Sequence, residues 1–205
     1  MKIKYYLSKL IKYIHIPAIK NSPIHCTSRI APNSNIIDTV IRKYSYVGNN
    51  CTVIDTEIGN FCSIADNVII GGAAHPIEWV STSPVFHKGK NILKKNFSEH
   101  PFKLTDTTII QNDVWIGTNC LIKSGVSIAN GAVIGMGSVL TKNVGSYEIW
   151  AGNPAKMIRK RFDDKTIKIL LKSKWWNSSE DKLTRLASEM YNMEKFIDSL
   201  NKSEA

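Results

Sequence analysis

Three histidines, His75, His87 and His100, fall in one interval of the chain between Ile70 and Ile110. Imidazole titrates near neutral pH, so it can take the proton from a hydroxyl that attacks an activated acyl group. The same side chains could ligate a metal, but such a site needs ligands that converge on one ion, and these three lack the paired spacing. Each could also be a structural loop histidine. The four cysteines offer neither a metal pattern nor a disulfide pattern. Cys51, Cys62 and Cys120 each stand two residues before a large aliphatic and read as small hydrophobes, whereas Cys26 has no assigned place. This usage suits a reduced, cytoplasmic setting. The net charge of +10 favours anionic partners such as phosphates or a membrane surface. Nucleic acid is not expected, because the chain carries no familiar groove-reading helix or RNA-binding motif.

The elements that must position these groups are legible in a second pattern. Ile110, Ile116, Ile122, Ile128, Ile134 and Leu140 recur at every sixth residue. Val114, Cys120, Val126, Ala132 and Ser138 precede them by two, and residues two apart in an extended segment face the same side. Small residues after the aliphatic, as in Ile116-Gly117 and Ile134-Gly135, suit a sharp bend. Short strands joined by bends at a period of six are the signature of a hexapeptide β-solenoid, in which each coil buries its aliphatics only by stacking on the next. The same lattice runs through Ile24, Ile30 and Ile36, then Ile41, Val47 and Val53, then Ile58, Ile64 and Ile70. Between these groups the step is five rather than six, which predicts a triangular coil with one shortened side.

The rest of the chain divides around this lattice. At 205 residues and 43% hydrophobic it suits one domain with appendages, and no apolar run approaches the length needed to span a bilayer. Residues 1–22 form a basic segment in which Ile3, Leu7, Leu10, Ile11 and Ile14 have helical spacing. That segment could touch an anionic membrane surface peripherally, or pack on the solenoid end or a neighbouring subunit. The solenoid is expected over 23–158, interrupted by a loop over 71–109. This loop is rich in aromatic residues and prolines, which argues for a packed, functional loop rather than a disordered one. Residues 159–205 read as a helical extension that caps the solenoid, broken in two near Trp175, Trp176 and Asn177.

Gly71-Gly72-Ala73-Ala74-His75-Pro76, Asp113-Val114-Trp115-Ile116-Gly117, Gly135-Met136-Gly137-Ser138 and Ala151-Gly152-Asn153-Pro154-Ala155-Lys156 together resemble the hexapeptide-repeat acyltransferases. The long loop that opens on a histidine is most similar to the xenobiotic acetyltransferase subgroup, which includes chloramphenicol and streptogramin acetyltransferases. The resemblance implies a mainly β fold, a left-handed parallel β-helix that assembles as a homotrimer and transfers acetyl from acetyl-CoA to a hydroxyl without a metal. It singles out His75 as the general base. It places Trp115, Thr118, Met136, Thr141, Lys142, Lys156 and Arg159 along the donor, with Lys156 and Arg159 near the phosphates and Thr118 and Met136 in backbone contact with the pantetheine arm. Asn143-Val144-Gly145-Ser146 departs from the Asp-Val-Pro-Pro common in relatives.

The acceptor is specified less closely. Tyr44 and Tyr46 resemble acceptor-side residues of relatives, and Glu78 and Trp79 follow His75 closely enough to join it. An aromatic face can stack on a sugar ring, and Glu78 could orient the imidazole. The first expectation is acetylation of a saccharide, such as a surface polysaccharide unit or its precursor. The alternative is acetylation of an antibiotic hydroxyl. A metal-dependent hydratase of the γ-class carbonic anhydrase type would use a similar solenoid but needs three histidines around one ion.

Overall fold

A computed structural model describes Tyr6 and residues 16–202. The expected N-terminal amphipathic helix lies outside the described residues. From Ala18 onward the chain builds a parallel β-solenoid with three faces. The first face carries Ile30, Val47, Ile64, Ile116, Ile134 and Trp150 in register. The second face stacks Ile36, Val53, Ile70, Ile122 and Leu140. The third stacks Ile41, Ile58, Ile110 and Ile128. Apart from Ile30 and Trp150 at the two ends, these side chains are buried and form one continuous core. Each isoleucine that leaves water entirely contributes about 1.5–3 kcal/mol.

The five-residue step has a visible cause. Asn35–Ile41 and Thr52–Ile58 each run unbroken from the second face to the third. They turn on a single residue with positive φ, Asp38 at 50° and Asp55 at 47°. Short polar side chains tolerate that left-handed conformation. After the loop the same corner is made with Gly125, at a φ of 79°, and one more residue. Residues paired across neighbouring coils are accordingly 17 apart before the loop and 18 apart from Ile110 to Leu140.

Three boundaries differ from expectation. Ala18–Lys20 already pairs with residues 35–37, so strand pairing begins ahead of residue 23. The loop ends sooner than residue 109, because Thr108–Ile110 pairs with residues 56–58. At the far end Glu148–Gly152 doubles back into the antiparallel strand Ala155–Lys160.

The C-terminal extension forms three helices where two were expected: α1 (Asp164–Ser173), α2 (Glu180–Ala187) and α3 (Met193–Lys202). Lys174, at a φ of 43°, and the turn over Trp175–Asn177 make the foreseen break. A second break follows α2, before Asn192 begins to cap α3 by accepting a bond from the Lys195 backbone N–H. Asp163 and Ser179 cap α1 and α2 in the same way. The helices do not simply close the solenoid end. They lie along the corner between the third and first faces, where Phe61 meets Trp175 at 5.2 Å and Asn60 donates to the Trp176 carbonyl.

Candidate active site

The loop that carries His75 leaves the solenoid at the corner between the second and third faces. Gly71 makes that exit with a φ of 80°, and a Cβ there would stand 2.2 Å from the Ile54 carbonyl oxygen. Only glycine fits. The backbone N–H of Ala74 donates to the Leu104 carbonyl and ties the two ends of the loop together at 2.6 Å. Between them the loop packs on itself. Trp79 meets Phe102 edge-on at 5.8 Å, Phe102 lies 5.5 Å from His87, and Phe86 lies 5.8 Å from Phe97.

His75 stands exposed at the start of this loop, with Nδ1 2.8 Å from the Thr82 carbonyl oxygen. A carbonyl can only accept, so Nδ1 carries the proton and donates it. Nε2 is then the nitrogen with the lone pair, free to receive a proton. Thr82 therefore fixes both the ring and its tautomer, the orienting role that the sequence had offered to Glu78. A backbone carbonyl seven residues away leaves no trace in side-chain types, and this partner could not have been read from the chain.

The other two histidines take different places. His87 is a buried packing residue whose Nδ1 lies 3.0 Å from the Lys88 carbonyl oxygen. His100 is exposed and packs edge-on to Trp79 at 6.3 Å. With Glu78, Trp79, Val80 and Phe86 it lines a shallow groove of about 760 Å³ within the same loop. Glu78 and Trp79 thus share the loop of His75 as expected, while His100 joins them from far along the sequence. Among the described residues no three His, Cys, Asp or Glu side chains gather so as to hold a metal ion.

The residues expected along the donor fall into two sets. Thr118 and Met136 occupy successive turns of the corner between the first and second faces, where the Thr118 carbonyl accepts from the Gly137 N–H at 2.8 Å. Met136 projects into solvent and is 78% exposed. Lys156 pairs with Ala151 beside the same corner. On the adjoining first face Trp115 is 53% exposed and shares a groove of about 450 Å³ with Arg159, floored by Val133 and Ile149. Trp115 therefore is not a core residue. Thr141 and Lys142 lie on the other corner, the one the His75 loop leaves. The Gly71 N–H donates to Ile122 and the Lys123 N–H to Leu140, which places these segments side by side.

The two tyrosines separate from His75. Tyr44 sits at the third corner with a φ of 55°, stacked on Phe61 at 5.1 Å, and its hydroxyl donates to Glu180 of α2. That bond and the nearby carboxylate push its pKa above the ordinary tyrosine range. Tyr46 is exposed on the first face, in the ladder that continues through Ser63 to Trp115. Within one chain neither reaches the His75 loop, so their expected place beside the acceptor would require a neighbouring copy.

Comparison with known proteins places this geometry in a family. The pattern described as bacterial transferase hexapeptide (six repeats) matches residues 107–142. A probable macrolide acetyltransferase of Lysinibacillus sphaericus is 39% identical over 176 residues, 82% of this chain and 93% of that protein. A chloramphenicol acetyltransferase of Agrobacterium fabrum is 43% identical over 62% of this chain and 61% of its own length. An N-acyltransferase from Bacillus cereus, solved with dTDP-4-amino-4,6-dideoxyglucose and coenzyme A, shares the fold with a TM-score of 0.59 at 20% identity, covering 81% of this chain and 96% of that one. The chain belongs to the hexapeptide-repeat acyltransferases, within their xenobiotic acetyltransferase subgroup, and is an acetyltransferase.

Proposed function

We propose that the protein transfers acetyl from acetyl-CoA to a hydroxyl of a small, largely apolar acceptor of the antibiotic type, with His75 as general base. The observation that carries this reading is the His75–Thr82 hydrogen bond, which leaves the Nε2 lone pair to take a proton, on a loop that also forms a groove walled by Trp79, Val80 and Phe86. The names of the two antibiotic-acetylating relatives support the same acceptor class. In the reaction the acceptor hydroxyl gives its proton to Nε2 as its oxygen attacks the thioester carbonyl. The tetrahedral oxyanion then collapses, the C–S bond breaks, and the departing thiolate recovers the proton from the imidazolium. The thioester is already activated, so the chain has to supply only the base and the alignment of the two substrates.

The donor binds, in this reading, along the edge formed by Thr118, Met136 and Lys156, with Trp115 and Arg159 beside it and Thr141 and Lys142 from the next corner. Because these lie on two different corners of the solenoid, a single elongated donor meets both sets most readily between adjacent subunits. A homotrimer supplies that arrangement and also lets Tyr44 or Tyr46 of a neighbour approach the acceptor. A second reading keeps a saccharide as acceptor. It draws on Trp79, which is 37% exposed and stands next to Glu78, a pairing suited to stacking on a sugar ring and accepting from its hydroxyls.

An acceptor panel with detection of the released thiol separates the two. Turnover of chloramphenicol or a macrolide far above that of mono- and oligosaccharides is the expected result. Sugars turned over far faster than either antibiotic would instead establish the saccharide reading.

A further inference from the structure

The tip of the loop, residues 88–97, has a feature that neither the core nor the proposed reaction uses. The Lys94 N–H donates to the Asn91 carbonyl at 3.1 Å and closes a four-residue turn whose central residues are Ile92 and Leu93. Such positions ordinarily hold Gly, Pro, Asn, Asp or Ser. Here Ile92 is 92% exposed and Leu93 61%, and Phe97 is exposed as well.

The turn is firmly built. The Leu93 N–H donates to Asn91 Oδ1 at 2.9 Å, and Asn91 Nδ2 donates to the Lys95 carbonyl and to Asn96 Oδ1, each at 3.1 Å. Asn96 Nδ2 donates in turn to the His87 carbonyl at 2.6 Å and to the Gly89 carbonyl at 3.0 Å. Two side-chain amides thus knit the tip together, and none of these bonds involves the side chain of Ile92 or Leu93. Serine at both positions would leave every one of them in place. The apolar pair is therefore not there to hold the turn.

Charge supplies the second half of the pattern. Lys88, Lys90, Lys94 and Lys95 flank the pair on both sides and are all exposed, and no acidic residue stands between Glu78 and Glu99. The Lys95 ammonium lies 5.3 Å from the centroid of the Phe97 ring, so a cation and an apolar face share one spot.

We propose that this tip docks on an anionic lipid surface, with Ile92 and Leu93 entering below the headgroups and the lysines meeting the lipid phosphates. Lysine lays its apolar stem along such a surface and keeps its ammonium at the polar level. Each cation near an anionic bilayer strengthens partition about fivefold. A second copy of this chain, itself at +10, is a poor complement to four uncompensated lysines. Nucleic acid would engage the lysines but leave Ile92 and Leu93 in water. No residue of the tip is assigned to the base or to the donor, so the site does not depend on the acetyl-transfer reading.

The test is co-sedimentation of the full chain with vesicles of phosphatidylglycerol and phosphatidylcholine in equal parts, and with vesicles of phosphatidylcholine alone. The wild type should partition onto the mixed vesicles and far less onto the neutral ones. Ile92→Ser/Leu93→Ser should weaken that partition about tenfold or more, and Lys90→Gln/Lys94→Gln roughly 25-fold. Both variants should keep the Tm and the light-scattering mass of the wild type. A wild type that stays in the supernatant overturns the proposal. Wild-type partition in both variants also overturns it and assigns the binding to the basic segment over residues 1–22. Loss in the lysine variant alone would make the tip a plain cationic patch suited to nucleic acid, and a smaller mass in the serine variant would make it a contact between copies. Either result contradicts a lipid-docking tip.

Discussion

The hydrogen bond from His75 Nδ1 to Thr82 sets which ring nitrogen holds the lone pair, and in the proposed reaction this decides which way the acceptor hydroxyl must approach. In the proposed mechanism donor recognition is a separate matter, carried by exposed cations on other segments. Lys156→Ala should therefore raise the KM for acetyl-CoA roughly tenfold, the effect of one lost charged contact, with a smaller change in kcat. Steady-state kinetics at saturating acceptor reads both. A second prediction concerns Tyr147, whose pKa is pushed up to about 12, chiefly by burial and then by the Asp113 charge. The unfolded chain releases that proton near the ordinary tyrosine value of 10.0, before the folded protein does. The stabilisation from this group is thus complete below pH 10 and is lost as pH rises towards 12. Urea unfolding across that range should show wild type losing stability relative to Tyr147→Phe.

Among the elements, the exit of the loop is the most sensitive point. Gly71→Ala puts a Cβ against the Ile54 carbonyl in a left-handed backbone conformation. A loss of about 1–3 kcal/mol of stability is expected, together with loss of acetyl transfer as the His75 segment shifts. Thermal unfolding and a turnover assay check the two halves. The solenoid was legible in the sequence because its inward positions demand large aliphatics at a fixed period, and Ile134 or Ile116 cannot be exchanged for polar residues without opening the core. The shortened side was legible too, since Ile36-to-Ile41 and Val53-to-Ile58 break the period. The interior of the loop was not, because Trp79, Phe102 and His87 meet through no regular spacing. Nor was the third corner. Tyr44, Phe61 and Tyr147 all occupy left-handed positions there, which propensity assigns to glycine or asparagine. Their reward is long-range: Phe61 packs on Trp175, and Tyr147 anchors the cluster that includes Ile167, Leu170 and Phe196. The same tertiary contacts draw the helices along the corner instead of across the end.

For the whole molecule, apolar side chains left in solvent point to association. Ile77, Val80, Ile92 and Phe97 of the loop are exposed, and so are Ile69 and Leu121, stacked in register on the second face. Patches of this kind in a folded chain mark interaction surfaces. Among the described residues no helix is long and apolar enough to cross a membrane. Multi-angle light scattering should give three times the protomer mass at micromolar concentration, and a stable monomer would contradict the shared donor site. The most direct test of the account is acetyl-transfer turnover by His75→Ala, measured alongside acetyl-CoA affinity. General-base catalysis typically contributes about 10²–10⁴-fold, so kcat should fall by that order while donor affinity and Tm stay close to wild type. Wild-type turnover in this variant would contradict the assignment of His75 as the base.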